Sequence, residues 1–257
     1  MEREFPKFIK TEEGKITVSE TFYSIQGEGR YIGTPAVFLR TQGCLLNCKW
    51  CDTYDVWKTG KIYTYQELAE LWKENGYIKA ISLGAHIILT GGEPLARQKE
   101  LFEFRTYLQE HYYRDFFWTP FIEVETAGTV LPNKLTEWVN YYNVSPKLSN
   151  SGMEIDRRNN ERAMKYFSFL SWNNKDQKTP SSSFKFVVSN EEDVKEAMDT
   201  YIQPYHINLN SVYLMAEAQT KKELNEQEGK IVELAKKYGL KYSTRLHLHI
   251  WDKATGV

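Results

Sequence analysis

The sequence predicts an α/β fold in which about six parallel strands form an open sheet with helices outside it. Between Ala36 and Gly239, short β-prone apolar runs alternate with longer segments whose apolar residues recur at helical spacing. This alternation is typical of βαβ units and therefore of a parallel sheet. Six or so units are too few to close an eight-stranded barrel, so we expect the sheet to stay open.

The length and charge of the chain limit its class. At 257 residues it can bury a sizeable core, and a single domain over residues 1–257 is the simplest organisation. The net charge is −1, with both signs spread along the chain, which favours small molecules or a second copy as partners over nucleic acid or a membrane surface. There is no run of 18 apolar residues and no secretory signal, so we expect a cytoplasmic protein.

Seven apolar runs predict the strands. They are Ile16–Val18, Ala36–Leu39, Ile87–Thr90, Phe121–Glu125, Phe184–Val188, Val212–Met215 and Tyr242–Ile250. The last run would place His247 and His249 on one face of a strand, and simple alternation explains the pair without a catalytic role.

Capping boxes and glycine predict where helices begin and end. Thr64–Glu67 and Ser189–Glu192 match the capping-box pattern, and Gly239 is placed to end the last long helix. Residues 148–183 are rich in Ser, Asn, Lys and Arg, which predicts an inserted, largely exposed segment with a short helix near Glu161–Phe169.

The three cysteines of the chain lie within eight residues, at Cys44, Cys48 and Cys51. An odd number of closely spaced cysteines indicates metal or redox chemistry and not disulfides. Three thiolates can hold three irons of a [4Fe–4S] cluster and leave the fourth iron open for a small molecule. The alternative is a structural zinc site, which would need a fourth ligand from a distant histidine.

Two glycine-containing loops accompany the cysteines. Gly91-Gly92-Glu93-Pro94 follows a predicted strand forty residues after Cys51 and exposes backbone groups at the strand end. Residues 24–35 contain three glycines and a proline within nine residues, which suits a substrate wall as well as an ordinary turn. Arg40 ends a predicted buried strand, where it can bind a carboxylate in bidentate fashion or form a plain salt bridge.

The spacing C-x3-C-x2-C followed by Gly-Gly-Glu-Pro resembles the radical S-adenosylmethionine (SAM) superfamily, and most of the chain resembles its 7-carboxy-7-deazaguanine synthase family. The segments that carry the second resemblance are Gln26-Gly27-Glu28-Gly29, Gly33, Phe38-Leu39-Arg40, Gly43-Cys44, Cys51-Asp52-Thr53, Thr90-Gly91-Gly92-Glu93-Pro94, Glu125-Thr126, Ser145-Pro146-Lys147, Arg245-Leu246-His247, Trp251 and Gly256-Val257. The resemblance implies a partial, open TIM-like barrel and a homodimer. It implies a [4Fe–4S] cluster, SAM, Mg²⁺ and an electron donor such as flavodoxin.

Carried over position by position, the resemblance implies four sets of site residues. Cys44, Cys48 and Cys51 hold the cluster. Thr53 binds Mg²⁺, although on chemistry alone its hydroxyl is better explained as a helix cap or turn group. The residues expected at SAM are Trp50, Asp52, Gly92, Glu93, Glu125, Ser145, Pro146 and Lys147. The residues expected at the substrate are Ile25, Gln26, Gly27, Glu28, Arg40 and Thr90, with Arg40 on the substrate carboxylate.

The reaction that the resemblance implies belongs to queuosine and deazapurine biosynthesis. It converts 6-carboxy-5,6,7,8-tetrahydropterin to 7-carboxy-7-deazaguanine with loss of ammonia, through a 5′-deoxyadenosyl radical that takes a substrate hydrogen and later returns it. No catalytic side chain is expected beyond this cofactor chemistry, because no thiol is left over as a relay.

Two other functions fit parts of the pattern. A glycyl-radical activating enzyme shares both motifs but acts on a partner protein, and it gives no reason for Gln26, Arg40 and Thr53 together. A zinc-stabilised binding module would use the cysteines without catalysis.

Overall fold

One mixed sheet forms the framework of the protein. The computed structural model describes residues 7–114, 119–133, 138–173, 180–254 and 256. The strands are β1 (Lys15–Ile25), β2 (Pro35–Thr41), β3 (Lys61–Thr64), β4 (His86–Gly91), β5 (Ile122–Thr126), β6 (Tyr141–Val144), β7 (Ser181–Val188), β8 (Val212–Ala216) and β9 (Lys241–Tyr242). Over this part of the chain the strand order is β3-β1-β2-β4-β5-β6-β7-β8-β9.

The sheet is parallel over most of its width and stays open. From β2 to β9 every neighbouring pair is parallel, whereas β1 is antiparallel to both β2 and β3. β3 and β9 are the two edges, so the sheet does not close into a barrel. The predicted α/β class with an open sheet is confirmed, and β6, which none of the seven predicted runs contains, brings the parallel strands of the described chain to seven.

Helices connect the parallel strands. The α-helices are α1 (Tyr54–Trp57), α2 (Tyr65–Glu74), α3 (Tyr77–Ser82), α4 (Gln98–His111), α5 (Ile155–Arg158), α6 (Glu161–Ser171), α7 (Glu191–Ala197), α8 (Lys221–Tyr238) and α9 (Leu246–Trp251). A π-helical turn (Met198–Ile202) extends α7, and 3-10 turns occupy Gly29–Tyr31, Pro94–Arg97, Ser149–Ser151 and Leu209–Ser211. Among the described helices, none combines the length and the apolar character needed to cross a lipid bilayer.

The helices α2, α4, α6 and α8 cover the sheet and build the main core. Trp72, Phe104, Phe167 and Ile231 each come from a different one of these helices and are at most 2% exposed. Burying one such side chain contributes about 1.5–3 kcal/mol to folding. The predicted capping box at Thr64 is present, with Glu67 bonded to the Thr64 backbone at 2.8 Å, and it fixes the start of α2.

The prediction of a terminal strand over Tyr242–Ile250 is wrong. The strand β9 ends at Tyr242, and residues 246–251 form α9. A strand inside a parallel sheet is buried on both faces. In this segment only Leu248 is buried, which does not fit such a strand. The backbone N–H of Leu246 instead donates to the Gly27 carbonyl at 2.9 Å. This bond turns the chain towards the loop between β1 and β2, residues 26–34, which we call the N-terminal loop.

The segment 148–183 contains the expected helix, α6, but its described part is not largely exposed. The helix supplies Met164 and Phe167 to the core, and it is the crossover that the parallel pair β6 and β7 requires. The polar composition was misleading because several of its serines are buried with backbone partners: the Ser182 hydroxyl, for example, donates to the Phe167 carbonyl at 2.6 Å. Residues 174–179 of this segment, and Val257 of the closing motif, lie outside the described residues.

The second predicted capping box, at Ser189–Glu192, is wrong, because α7 is capped one residue later. The N-cap of α7 is Asn190, whose side-chain oxygen accepts the Asp193 N–H at 3.0 Å. Ser189 instead donates its hydroxyl to Glu217 at 2.9 Å, because Asn190 already supplies the cap.

Candidate active site

A cavity of about 440 Å³ opens at the carboxyl ends of the parallel strands. It contains the three cysteines and most of the other predicted site residues. Those that line it are Ile25, Gln26, Gly27, Glu28, Arg40, Cys44, Cys48, Trp50, Cys51, Asp52, Thr53, Thr90, Gly92, Glu125, Ser145 and Lys147. Glu93 and Pro146 do not line it.

The cysteine loop is fixed by backbone hydrogen bonds to neighbouring elements. Gly43 N–H donates to the carbonyl of Trp57 at 3.1 Å, and Glu93 N–H donates to the carbonyl of Gly43 at 2.9 Å. Lys49 N–H donates to Ser151 at 2.9 Å. The loop is therefore held by α1, by the Gly-Gly-Glu-Pro loop and by the turn after β6.

The three thiols fit a [4Fe–4S] cluster. Burial raises the pKa of Cys44 to about 12 and also raises the pKa of Cys48, so these thiols are neutral unless a cationic centre binds them. The sulfur of Cys44 accepts the Leu46 N–H at 3.4 Å, and the sulfur of Cys51 accepts the indole N–H of Trp57 at 3.3 Å. Hydrogen-bonded thiolates of this kind are the ligands that iron–sulfur clusters use.

The Gly-Gly-Glu-Pro loop lies directly against the cysteine loop. A Cβ at position 92 would overlap the carbonyl oxygen of Gly43 and lie 2.6 Å from the Cβ of Cys44, so only glycine fits there. Glu93 is fully buried, and its carboxylate accepts hydrogen bonds from Thr126 Oγ1 at 2.8 Å and Ala127 N at 2.9 Å. Burial raises the pKa of Glu93, and these bonds oppose that effect only in part. Glu93 therefore joins the end of β4 to the end of β5 from behind the cavity wall.

Three of the residues predicted for SAM lie together beside the thiols. Lys147 Nζ donates to Ser145 Oγ at 3.0 Å and stands 5.4 Å from the centre of the Trp50 ring. The indole N–H of Trp50 donates to Asn150 at 3.2 Å. The backbone carbonyl of Trp50 accepts a hydrogen bond from Gln219 at 3.1 Å. These contacts fix one wall of the cavity.

The residues predicted for the substrate share a hydrogen-bond network with Glu125. Gln26 Nε2 donates to Glu125 Oε1 at 3.2 Å, and Thr90 Oγ1 donates to Glu125 Oε2 at 2.9 Å. Glu125, predicted for SAM, thus contacts two residues of the other set. Behind them, Glu123 accepts from Gln26 at 3.4 Å and pairs with His86 at 2.6 Å.

Arg40 forms an ion pair and also lines the cavity. Its Nε donates to Glu20 Oε1 at 2.8 Å, and its Nη1 donates to the Gly91 carbonyl at 3.4 Å. A guanidinium has five N–H donors, so the contacts shown by the described residues leave donors for a carboxylate in the cavity.

A buried charge cluster that also lines the cavity was missed from the sequence. Glu28 pairs with Lys185 and Arg245, and Arg245 also pairs with Asp52. Burial would raise the pKa of Glu28, but the charges of Lys185 and Arg245 outweigh it and hold that pKa well below its usual range. Burial lowers the pKa of His247, whose Nε2 is 4.0 Å from Glu28, and keeps its imidazole neutral at pH 7.

Weak signals for this cluster were present in the sequence. Lys185 is the one charged residue of the predicted strand Phe184–Val188, where a parallel strand should be apolar. Arg245 and His247 belong to the closing motif, but the strand assignment placed His247 on a simple alternating face.

Thr53 lies at the N-cap position of α1 without acting as a cap. Its side chain accepts no capping hydrogen bond, although its carbonyl accepts from Val56 and Trp57 at 3.0 Å. Its hydroxyl is 3.8 Å from the Cys51 sulfur and lines the cavity. The helix-cap explanation of this residue is therefore not supported.

Comparisons with known proteins agree with this site. The model of the radical SAM superfamily matches residues 38–170. A protein of Pyrobaculum aerophilum named 7-carboxy-7-deazaguanine synthase is 34% identical over 246 residues, which cover 94% of this chain and 97% of the relative. A protein of the same name from Hyperthermus butylicus is 34% identical, and the match covers 91% of this chain and 92% of the relative.

A solved structure shares the fold. QueE from Escherichia coli superposes with a TM-score of 0.65 at 20% identity, covering 91% of this chain and 95% of that one. At that identity the similarity supports the fold alone. The two relatives, in contrast, are 34% identical and match over nearly their full length, which shows the family. The chain belongs to the 7-carboxy-7-deazaguanine synthase family of the radical SAM superfamily.

Proposed function

We propose that this chain is a radical SAM lyase that converts 6-carboxy-5,6,7,8-tetrahydropterin to 7-carboxy-7-deazaguanine with loss of ammonia, a step of queuosine and deazapurine biosynthesis. The observation that carries the proposal is one cavity in which three thiols lie together with Gln26, Arg40 and Thr90. The names of the full-length relatives support the same product. A glycyl-radical activating enzyme is not favoured, because the relatives carry a different name and the cavity suits a small molecule.

Membership of the superfamily implies a [4Fe–4S] cluster and SAM, which together supply a radical able to take hydrogen from an unactivated carbon. Cys44, Cys48 and Cys51 would hold the cluster. Trp50, Ser145 and Lys147 form the wall beside the thiols and would bind SAM, with the indole available to stack on a base.

The chain's own residues would bind and orient the pterin. Arg40 would take its carboxylate, and Glu125 would accept hydrogen bonds from donor groups of the ring, held in place by Gln26 and Thr90. Phe22 and Phe38 stack with ring centroids 4.9 Å apart and line the cavity, so they would exclude water on one side of the ring.

Five further features are part of the proposal. Thr53 would bind a Mg²⁺ that also contacts the substrate, since Mg²⁺ takes oxygen ligands and keeps several waters. A small electron carrier such as flavodoxin would supply electrons. The protein would act as a homodimer in the cytoplasm, with residues 1–257 as a single domain.

An anaerobic assay tests the function. The protein with its reconstituted cluster is incubated with SAM, a reductant, Mg²⁺ and 6-carboxytetrahydropterin, and products are followed by mass spectrometry. We expect 7-carboxy-7-deazaguanine. If 5′-deoxyadenosine forms without it, the SAM chemistry stands and the proposed substrate is refuted.

A further inference from the structure

Trp57 contacts the cysteine loop through a hydrogen bond that no part of the proposed reaction uses. Its indole Nε1 donates to the sulfur of Cys51 at 3.3 Å, and the residue is 1% exposed. Because the indole is a donor only, this sulfur is the acceptor that its buried N–H requires.

The surroundings hold the indole in this orientation. The Trp57 carbonyl accepts the Gly43 N–H at 3.1 Å, next to Cys44. The ring of Tyr54 meets the indole edge-on, with centroids 5.3 Å apart and planes at 80°. Trp57 also packs with Leu46 in the small apolar cluster around the thiols. A buried indole N–H that lost its acceptor would be left unsatisfied, which favours keeping this bond when the sulfur binds iron.

A hydrogen bond to a ligating sulfur changes the redox potential of a cluster. The donor withdraws electron density from the thiolate and so stabilises the more negative, reduced state. We propose that Trp57 is a positioning residue that makes the cluster held by Cys44, Cys48 and Cys51 easier to reduce by one electron. The proposal depends on the cluster and on no assumption about the substrate.

A redox titration tests the proposal. The full chain with its reconstituted cluster is titrated with dithionite in the presence of redox mediators, and the reduced cluster is followed by electron paramagnetic resonance. We expect Trp57→Phe to shift the midpoint potential to a more negative value. Trp72→Phe is the matched control, because Trp72 is equally buried but donates to Thr21 at 3.0 Å, outside the cavity. No shift, a positive shift, or an equal shift in both variants would refute the proposal.

A second variant separates the hydrogen bond from the shape of the ring. Replacing Trp57 with 3-benzothienylalanine keeps the bicyclic volume and removes only the N–H donor, so it should reproduce the negative shift with normal iron content. If both Trp57 variants lose the cluster while Trp72→Phe keeps it, Trp57 holds the loop together and the redox role is wrong. The titration contains no pterin, so a failed product assay would refute the proposed function without affecting this result.

Discussion

Arg245 donates from Nε to Oε1 of Glu28 at 3.0 Å, although 217 residues separate them in the chain. Its Nη2 pairs with Asp52, the residue after Cys51, and its Nη1 donates to the Ala218 carbonyl. One side chain therefore ties the N-terminal loop, the cysteine loop and the segment after β8 together at the rim of the cavity. The side chains of Arg245 and Glu28 are 10% and 14% exposed, so water screens this pair weakly.

Arg245→Gln should destabilise the protein strongly. Removing one partner of a buried charge group leaves the other charges uncompensated, which costs about 3–5 kcal/mol. Chemical denaturation measures the free energy of unfolding. Lys237→Gln is the control, because Lys237 pairs with Glu191 on the surface, where such pairs contribute under about 1 kcal/mol. Equal losses in the two variants would show that the Arg245 cluster does not stabilise the fold.

The pH dependence of stability should carry the signature of Glu28. The pairing with Lys185 and Arg245 holds its folded-state pKa well below the ordinary value of 4.5. Its contribution is therefore complete above pH 4.5 and is lost as the pH falls through that value towards the folded-state pKa. Melting temperatures of cluster-free protein should fall more steeply in acid for the wild type than for Glu28→Gln. Parallel curves would mean that Glu28 is not held ionised.

What the sequence predicted well depended on local patterns. Three features were found where expected: the spacing of the thiols, Gly92 at a strand end and the capping box at Thr64. Each is determined by a few neighbouring residues. The pairing of Glu28 with Lys185 spans 157 residues and depends on how the sheet brings strand ends together. The local pattern marks Lys185 as an unusual charge in an apolar strand, but it does not reveal Glu28 as its partner.

The errors have a physical cause as well. The alternating run before Ile250 matches a strand, but the side chain of Arg245 and the N–H of Leu246 are bound by the N-terminal loop, and these tertiary contacts override the alternation. The expectation that Glu93 binds SAM stays a prediction. Glu93 does not line the cavity, and its two carboxylate oxygens accept hydrogen bonds at the end of β5.

Arg40→Ala should weaken substrate binding without loss of the cluster. The substitution removes a charge-assisted contact to the pterin carboxylate worth about 1.5–3 kcal/mol, so KM should rise roughly 10- to 100-fold while the iron content is unchanged. Arg40→Lys should recover only part of the loss, because an ammonium cannot bind a carboxylate with two parallel bonds. A matching loss of iron content would make Arg40, with its partner Glu20, a structural pair.

Thr53→Ala should reduce product formation and its response to added Mg²⁺. The hydroxyl does not cap α1, so its removal should leave the melting temperature almost unchanged. Thr53→Ser keeps the oxygen and should retain the Mg²⁺ response. If activity and Mg²⁺ dependence are both unaffected in Thr53→Ala, this residue is not a metal ligand.

Gly92→Ala should abolish cluster binding, because the added Cβ would clash with the backbone of Gly43 and the Cβ of Cys44. These atoms cannot move aside without displacing the cysteine loop. Overpacking of this kind costs about 1–3 kcal/mol. Iron content after reconstitution measures the effect.

Two other glycines show how much of that loss comes from the position. Gly27→Ala should cost less, because its Cβ would meet the ring of His247, a side chain that can rotate. Gly229→Ala should raise the melting temperature with normal iron content, because no described atom beyond the adjacent turns of α8 lies within 4 Å of the new methyl group and alanine favours the interior of α8 by about 0.5–1 kcal/mol. Normal iron content in Gly92→Ala would show that the cysteine loop can shift away from the Gly-Gly-Glu-Pro loop. The contact between the two loops would then not be needed to place the thiols.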